Sequence, residues 1–362
     1  MMNTIDRYVL RQFIITAVAA LAAFMVLFVV VDMMENLDDF LDRSAGFGII
    51  ATYYLYFLPE IAKLMIPVAM LLSALFTTGR LSTFNELTTL KSSGMSLYRF
   101  MAPLVIFAFI VSGASIYFNG WVVPFANKKK LELGRSYFQK NIEFVSENNI
   151  FIQDSPTRIL SIAMFDDSRQ VARQVSIQDF DAKDPTTLVG RYDASEMRWD
   201  PVQKSWTLIN GTERRFDRGK EYLDAFAARP IAALNFSAED IRKKQEKPDE
   251  MDYNDLKQFI TNQQRGGQEV ARWLVDFYGK IAFPFASVIV VIFGIPFSSV
   301  KRRSGLGVEF GIALAVCFIY MIFLKVSQAF GYNGDLDPLV TAWLANIIFL
   351  AAGIYNLVRV EK

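Results

Sequence analysis

The stretch Gly79–Ser96, GRLSTFNELTTLKSSGMS, is a short polar segment held between two strongly hydrophobic runs. Thr83-x-x-Glu86 has the form of a capping box, in which the threonine hydroxyl and the glutamate carboxylate each satisfy an orphaned backbone N–H of a first helical turn. Phe84, Leu87 and Leu90 follow at three-residue spacing on one face, and Gly94 is placed to end the helix in the left-handed conformation. The pattern predicts a helix of about two to three turns near residues 82–93, lying on a membrane surface. A helix of that kind, joining two spans on one side of a bilayer, is where a transporter receives force from a soluble motor.

Composition supports a membrane setting. Of 362 residues, 52% are hydrophobic and 14% aromatic, above the ordinary apolar share of a soluble protein, yet 21% are charged. Residues 128–280 hold 25 of the 38 Lys+Arg and 25 of the 37 Asp+Glu, so one central part is soluble and its flanks are membrane. There is no histidine, and the single cysteine, Cys317, falls inside a hydrophobic run. Disulfides, His/Cys zinc sites, His-based triads and Cys–His nucleophiles are excluded together. No calcium-loop pattern and no G-x-x-x-x-G-K-[ST] phosphate loop occurs, so the chain is not itself a P-loop ATPase. No cofactor, metal or nucleic acid is expected.

Uncharged stretches run over 12–31, 64–79, 100–127, 281–300, 310–324 and 338–358, and most approach the ~20 residues needed to cross ~30 Å of hydrocarbon. The second span is expected to start near Tyr53 and to contain Glu60 and Lys63; the fifth continues through Lys325 to about Phe330. The first run is expected to be retained, since its uncharged stretch is long and no cleavage pattern follows it. Six spans put both termini on one side. The N-terminus, the 79–99 and 301–309 loops and the C-terminal tail hold ten Lys/Arg, against Arg43 alone in the opposite short loops. The positive-inside rule makes the first set cytoplasmic and sends residues 128–280 to the far side.

That exported segment reads as antiparallel β-structure, a sandwich or roll, over 150–152, 159–165, 171–180, 188–199, 205–209, 214–216 and 231–236. Turn clusters Asp166-Asp167-Ser168, Asp200-Pro201 and Asn210-Gly211 separate the runs. Its edge strands would offer a docking surface for a similar domain of another chain. An amphipathic helix is expected over Met251–Gln264 through Leu256, Phe259 and Ile260, ended by Gly266-Gly267, followed by a helix running into span four. The resulting division is 1–127 (spans one to three), 128–267 (exported β domain with trailing helix) and 268–362 (spans four to six).

Several residues invite a role. Glu86 serves either as the third-position carboxylate of a capping box or as an acid offered to an arginine on a cytoplasmic partner, and a carboxylate has lone pairs for both. Glu60, Lys63 and Lys325 lie in or near the ends of membrane runs, where ionisable groups are costly and face a cavity or a partner. Glu60 and Lys63 sit three apart on one helical face, which makes an intrahelical pair the simplest account; Lys325 is placed to snorkel. Pro59, Pro67, Pro103, Pro124, Pro284 and Pro296 sit in or beside spans, where they kink or end helices.

The order of features, three spans, a β-rich exported domain and three more spans, resembles the lipopolysaccharide-export permeases LptF and LptG over essentially the whole chain. The matching pieces are IDRYVLRQF at the N-terminus, LPEIAKLMIPVAMLLSALFTTGRLSTFNELTTLKSSGMS at 58–96, the exported WDPVQKSWTLINGTERRF and the terminal LDPLVTAWLANIIFLAAGIYNL. The exported stretch from Tyr192 to Phe216 is closer to the LptG branch. The resemblance implies a six-span membrane protein of the bacterial inner membrane with an inserted periplasmic β-jellyroll-like domain. It also implies a heterodimer of LptF and LptG around an outward cavity, two copies of the cytoplasmic ATPase LptB, a bridge through LptC and LptA, and lipopolysaccharide as cargo. In this family the helix matching 82–93 inserts into LptB, and the acid at the position of Glu86 meets an LptB arginine.

One stretch departs from that family. Members place basic residues near the outer ends of spans one and five, whereas here span one ends in DMMENLDDFLD, with Asp32, Glu35, Asp38, Asp39 and Asp42. These would repel a lipid A phosphate unless a divalent ion bridges them or the cargo carries fewer phosphates; Lys63 and Lys325 are the nearest cations. The acidic rim keeps open an ATP-driven permease for another lipid or a lipoprotein. A non-transporting assembly scaffold is a further alternative, and a plain polar loop in place of the 82–93 helix would have served it. An enzyme using Asp166-Asp167 as acid and base is the remaining class, but that pair sits in a solvated turn cluster.

Overall fold

Among the described residues six helices are long and apolar enough to cross a membrane: Thr4–Glu35, Phe47–Thr83, Leu97–Gly134, Ala271–Ser299, Leu314–Tyr332 and Pro338–Arg359. They coincide with the uncharged runs of the sequence. The computed structural model describes residues 4–42, 46–138, 150–166, 169–184, 186–201, 205–217, 220–231, 234, 236, 238, 241, 248–265, 269–299 and 306–359. Arg43, Gly266-Gly267, the loop cations Lys301, Arg302 and Arg303, and Lys362 lie outside the described residues, as do the side chains of Asp39 and Asp42. The chain divides into two compact units, Met1–Phe138 with Ala271–Lys362, and Gln139–Val270.

Spans two and four form the centre of the membrane unit. Leu71, Leu72, Ala74 and Leu75 pack in one buried cluster with Val288, Val290, Val291 and Ile295. Gly294 permits that approach, because a Cβ there would stand 2.8 Å from Leu71 Cδ1. Ser298 Oγ donates to the Leu75 carbonyl at 3.1 Å, a use for a hydroxyl that lipid would otherwise leave unmatched. Span one adds only Asp6, Val9 and Phe13 to the interior, at i, i+3 and i+7, and most of its remaining apolar surface faces outward.

The prolines do not end the spans. Pro59 and Pro67 lie inside the continuous helix Phe47–Thr83, and Pro103 and Pro296 lie inside spans three and four. The true irregularities are a five-residue π-turn, Phe118–Val122, in span three and a short 3-10 turn, Phe283–Phe285, around Pro284 in span four.

The second unit is a six-stranded antiparallel sheet in plain sequence order, β1 (Ile150–Ser155), β2 (Arg158–Asp166), β3 (Val171–Phe180), β4 (Leu188–Asp200), β5 (Ser205–Asp217) and β6 (Lys220–Pro230). The connectivity among these strands is a meander, and the all-β expectation for the inserted domain holds. Ile162, Ile177, Met197, Leu208 and Trp206 supply its fully buried core.

Three details differ from the sequence reading. Asn210-Gly211 is no turn: β5 runs through it, pairing Ile209 with Glu196 and Gly211 with Ala194. The glycine is needed for a close approach, since a Cβ would lie 2.6 Å from both the Asp193 carbonyl and the Phe226 ring. Residues 220–230, outside the strands expected from the sequence, form the edge strand β6, most of whose side chains are exposed. The described residues of 231–236 belong to no strand, although Trp206 Nε1 donates to the Phe236 carbonyl at 3.0 Å and so draws that segment onto the core. The trailing amphipathic helix is Tyr253–Arg265 and buries Leu256, Phe259 and Ile260 as expected.

Among the described residues two charged side chains are buried in the sheet, Asp154 in β1 and Glu213 in β5. Glu213 is 3% exposed and accepts from Arg215 at 2.7 and 3.0 Å, from Tyr192 at 2.9 Å and from Arg229. These donors, Arg215 foremost, hold its pKa down at about 2 against the opposing effect of burial.

Candidate functional site

The polar connection between spans two and three is built around two left-handed residues, Asn85 and Gly94. Span two continues to Thr83, whose hydroxyl donates to the Gly79 carbonyl one turn back at 2.8 Å. The predicted capping box is therefore not formed: its threonine is the last residue of one helix, not the cap of the next. Phe84 closes span two, and Asn85 follows at φ +60°, its N–H bonded to the Ser82 carbonyl at 3.1 Å. Asparagine is among the few side chains that tolerate this conformation. The surface helix then runs Glu86–Ser92, with Asn85 at its N-cap position and no side-chain cap bond.

Its C-terminus follows the expectation for Gly94, which sits at φ +89°. The Met95 N–H bonds the Leu90 carbonyl at 3.1 Å and the Gly94 N–H bonds the Lys91 carbonyl at 3.0 Å, the two bonds of a Schellman motif.

The three apolar residues predicted on one face separate. Leu87 is 2% exposed and Leu90 half-buried, both seated on the main membrane core, whereas Phe84 precedes the helix and is 65% exposed. Leu87 and Leu90 anchor the helix; Phe84, Asn85, Thr88, Thr89, Ser92 and Ser93 form its outer surface. Glu86, half-buried, sits at the edge as the first residue of the helix, and its Oε2 accepts from the Tyr8 hydroxyl at 3.3 Å. Beside it, Arg99 Nη2 at the start of span three donates to Asp6 Oδ2 at 2.6 Å, and Asp6 is 6% exposed. Span three opens on Ser96, whose hydroxyl accepts from the Arg99 N–H at 3.3 Å.

Glu60 pairs with Lys130, on the extension of span three. Lys63 is half-buried and Lys325 exposed. Of the acidic end of span one, Asp32 Oδ2 accepts from the Tyr54 hydroxyl at 2.9 Å and so ties span one to span two, next to the cluster of Phe40, Tyr53 and Tyr54. Among the described residues no group of three or more acidic or thiol side chains could hold a metal ion.

Two polar features gave no signal in the sequence reading. Lys280 in span four is only 5% exposed, one turn after Asp276, which accepts from the Tyr332 hydroxyl of span five. Asn119 in the π-turn is 3% exposed, and its Oδ1 has no hydrogen-bond partner among the described residues.

Residues 7–359 match the family model of the lipopolysaccharide export system permease LptF/LptG. The chain belongs to this family. It is 22% identical over 361 residues to the lipopolysaccharide export system permease protein LptF of Escherichia coli (strain K12), covering 97% of this chain and 93% of the relative. To LptG of the same strain it is 20% identical over 370 residues, covering 99% and 98%. LptG of Haemophilus influenzae (strain ATCC 51907 / DSM 11121 / KW20 / Rd) is 20% identical over 368 residues, covering 97% of each. Identity to the two branches is nearly equal and does not separate them. As a member of the LptF/LptG family, the chain is a multi-pass inner-membrane permease subunit with a β domain inserted between spans three and four.

Proposed function

We propose that this LptF/LptG-family chain is one permease half of an ATP-driven exporter that extracts lipopolysaccharide from the outer leaflet of the inner membrane and passes it to a periplasmic bridge. The observation that carries this is the helix Glu86–Ser92, anchored inward by Leu87 and Leu90 and presenting a polar outer surface with Glu86 at its edge. The chain has no phosphate loop of its own, so the nucleotide is hydrolysed by a separate subunit, two copies of an LptB-type ATPase, docked on that surface of this chain and of a paralogous partner. Both termini and the helix face the cytoplasm, and the β domain faces the periplasm, where LptC and LptA continue the path. Glu60, Lys63 and Lys325 are the charges nearest the cargo route. The sequence from Tyr192 to Phe216 favours the LptG role.

An acidic outer end of span one suits a phosphate-bearing cargo poorly, which favours a second reading with another lipid or a lipoprotein as cargo. The hydrogen bond from Tyr54 already engages Asp32, which leaves fewer open carboxylate sites there.

The coupling role is tested by Glu86→Gln. Because the helix start depends on Asn85 and not on a capping box, glutamine leaves the backbone intact and removes only the charge. ATP-driven lipid release from reconstituted complex should fall severely at unchanged protein abundance, since an unpaired arginine costs up to about 3–5 kcal/mol when its site is fully buried. Release at the wild-type rate would remove Glu86 from the coupling path.

A further inference from the structure

The first turn of span one meets the surface helix, and nothing in the coupling scheme above gives it a task. Its residues are strictly oriented. Asp6 and Val9 point inward, and the 2.6 Å bond from Arg99 Nη2 to Asp6 Oδ2 joins the start of span one to the start of span three. A charge-assisted bond to a carboxylate that is 6% exposed fixes the rotation of this turn. Two residues on, Tyr8 is turned outward. It is 48% exposed, and its hydroxyl lies 3.3 Å from Glu86 Oε2, 78 residues away in sequence.

Water would satisfy a half-exposed phenol, so burial does not demand this contact. Its effect falls on Glu86. A glutamate side chain has several rotatable bonds and loses rotamer freedom when a partner fixes it. A phenol holds the carboxylate without neutralising it, and an ionised carboxylate has lone-pair sites enough for a phenol and a guanidinium at once. A lysine or arginine in the place of Tyr8 would instead compete with any incoming cation.

We infer that Tyr8 is a positioning residue for Glu86: it pre-organises the carboxylate for a guanidinium on the cytoplasmic ATPase, and the Asp6–Arg99 pair keeps Tyr8 within reach. The inference rests on Glu86 being the coupling carboxylate. It brings span one, which already packs through Val9 and Phe13 in the cluster that seats Leu87, into the docking of the motor.

The test titrates purified ATPase onto the complete permease complex in lipid nanodiscs and reads both half-saturating concentration and turnover at saturation. Tyr8→Phe should raise half-saturation roughly two- to tenfold, the range of one hydrogen bond, with the loss falling on half-saturation and not on turnover. In a Glu86→Gln background the same substitution should change nothing further, and Asp6→Asn should move half-saturation in the same direction as Tyr8→Phe. If Glu86→Gln weakens docking while Tyr8→Phe leaves it at the wild-type value, Tyr8 has no positioning role and the coupling role of Glu86 stands. If Glu86→Gln itself docks like wild type, both fall. Equal losses from Tyr8→Phe in the two backgrounds would overturn the inference by showing that Tyr8 meets the ATPase independently of Glu86.

Discussion

Lys130 Nζ donates to the Glu60 carboxylate across 70 residues of sequence, and the same ammonium lies 4.5 Å from the centroid of the Phe57 ring, one turn before Glu60. The pair clamps the extension of span three to span two. Side-chain exposures of 17% for Lys130 and 32% for Glu60 place it between a surface pair and a buried one.

Removing one partner should therefore cost more than removing both. Lys130→Met leaves a partly buried carboxylate without its cation, at about 1–3 kcal/mol, whereas Glu60→Gln with Lys130→Met restores most of that loss. Thermal unfolding of the full chain in mild detergent measures both. A double variant no more stable than Lys130→Met would show that the pair is not a unit.

Gly94→Ala should destabilise the surface helix by about 1–2 kcal/mol, the cost of a side chain in the left-handed region. Among the described residues, no atom beyond Gly94 and its two chain neighbours lies within 4 Å of the missing Cβ, so this cost is conformational and not steric. Asn85→Gly should be neutral by the same reasoning, because φ +60° suits glycine better. Proteolysis within residues 83–96 reports the change; resistance unchanged in Gly94→Ala would refute the account of this terminus.

Glu213 makes the stability of the sheet depend on acid. Its folded pKa, about 2, lies below the ordinary carboxylate value of 4.5, so the ionised form is preferentially bound by the fold. Its contribution is fully present above the ordinary value and is lost as pH falls from about 4.5 through about 2. Glu213→Gln should lower stability at neutral pH and flatten the acid limb between those values, as followed by tryptophan fluorescence of the full chain; an acid limb identical to wild type would contradict this.

Single cysteines at Thr89 and Tyr222, in a Cys317→Ser background, should label from opposite sides of the inner membrane. Both positions are exposed, on the surface helix and on β6. The ten-to-one excess of basic residues in one set of short segments motivates the assignment. Labelling of both by an impermeant reagent in spheroplasts would reverse it.

The spans were legible because length and lack of charge suffice to define them, and β1 to β4 because short β-prone runs there stand between turn clusters, although burial alternates strictly only along β1. Strand β6 was not, since KEYLDAFAARP has an exposed edge with little to bury and so no alternation to read. Asn210-Gly211 misled because a glycine required by a close neighbour is indistinguishable, in sequence, from one required by a turn. Thr83 misled for a different reason. Its hydroxyl had two carbonyl-side or amide-side uses one turn apart, and the continuing helix took the former. Of the candidate site, Glu86 and Gly94 were visible as local pattern. Asp6, Tyr8, Arg99 and Lys130 were not, because their partners stand 70 or more residues away and no short-range rule connects them.

The π-turn Phe118–Val122 has a consequence downstream. A turn closed from i to i+5 holds about one residue more than an α-turn, so every side chain beyond it is rotated by one position relative to an unbroken helix. Span three emerges from that turn into three consecutive lysines, Lys128, Lys129 and Lys130. With α-geometry throughout, Lys129 would have inherited the direction in which Lys130 now points. The widened turn thus works as a vernier on the helix: it selects which of three identical cations meets Glu60, and leaves Lys129 to pair along its own helix with Glu132 at 2.7 Å.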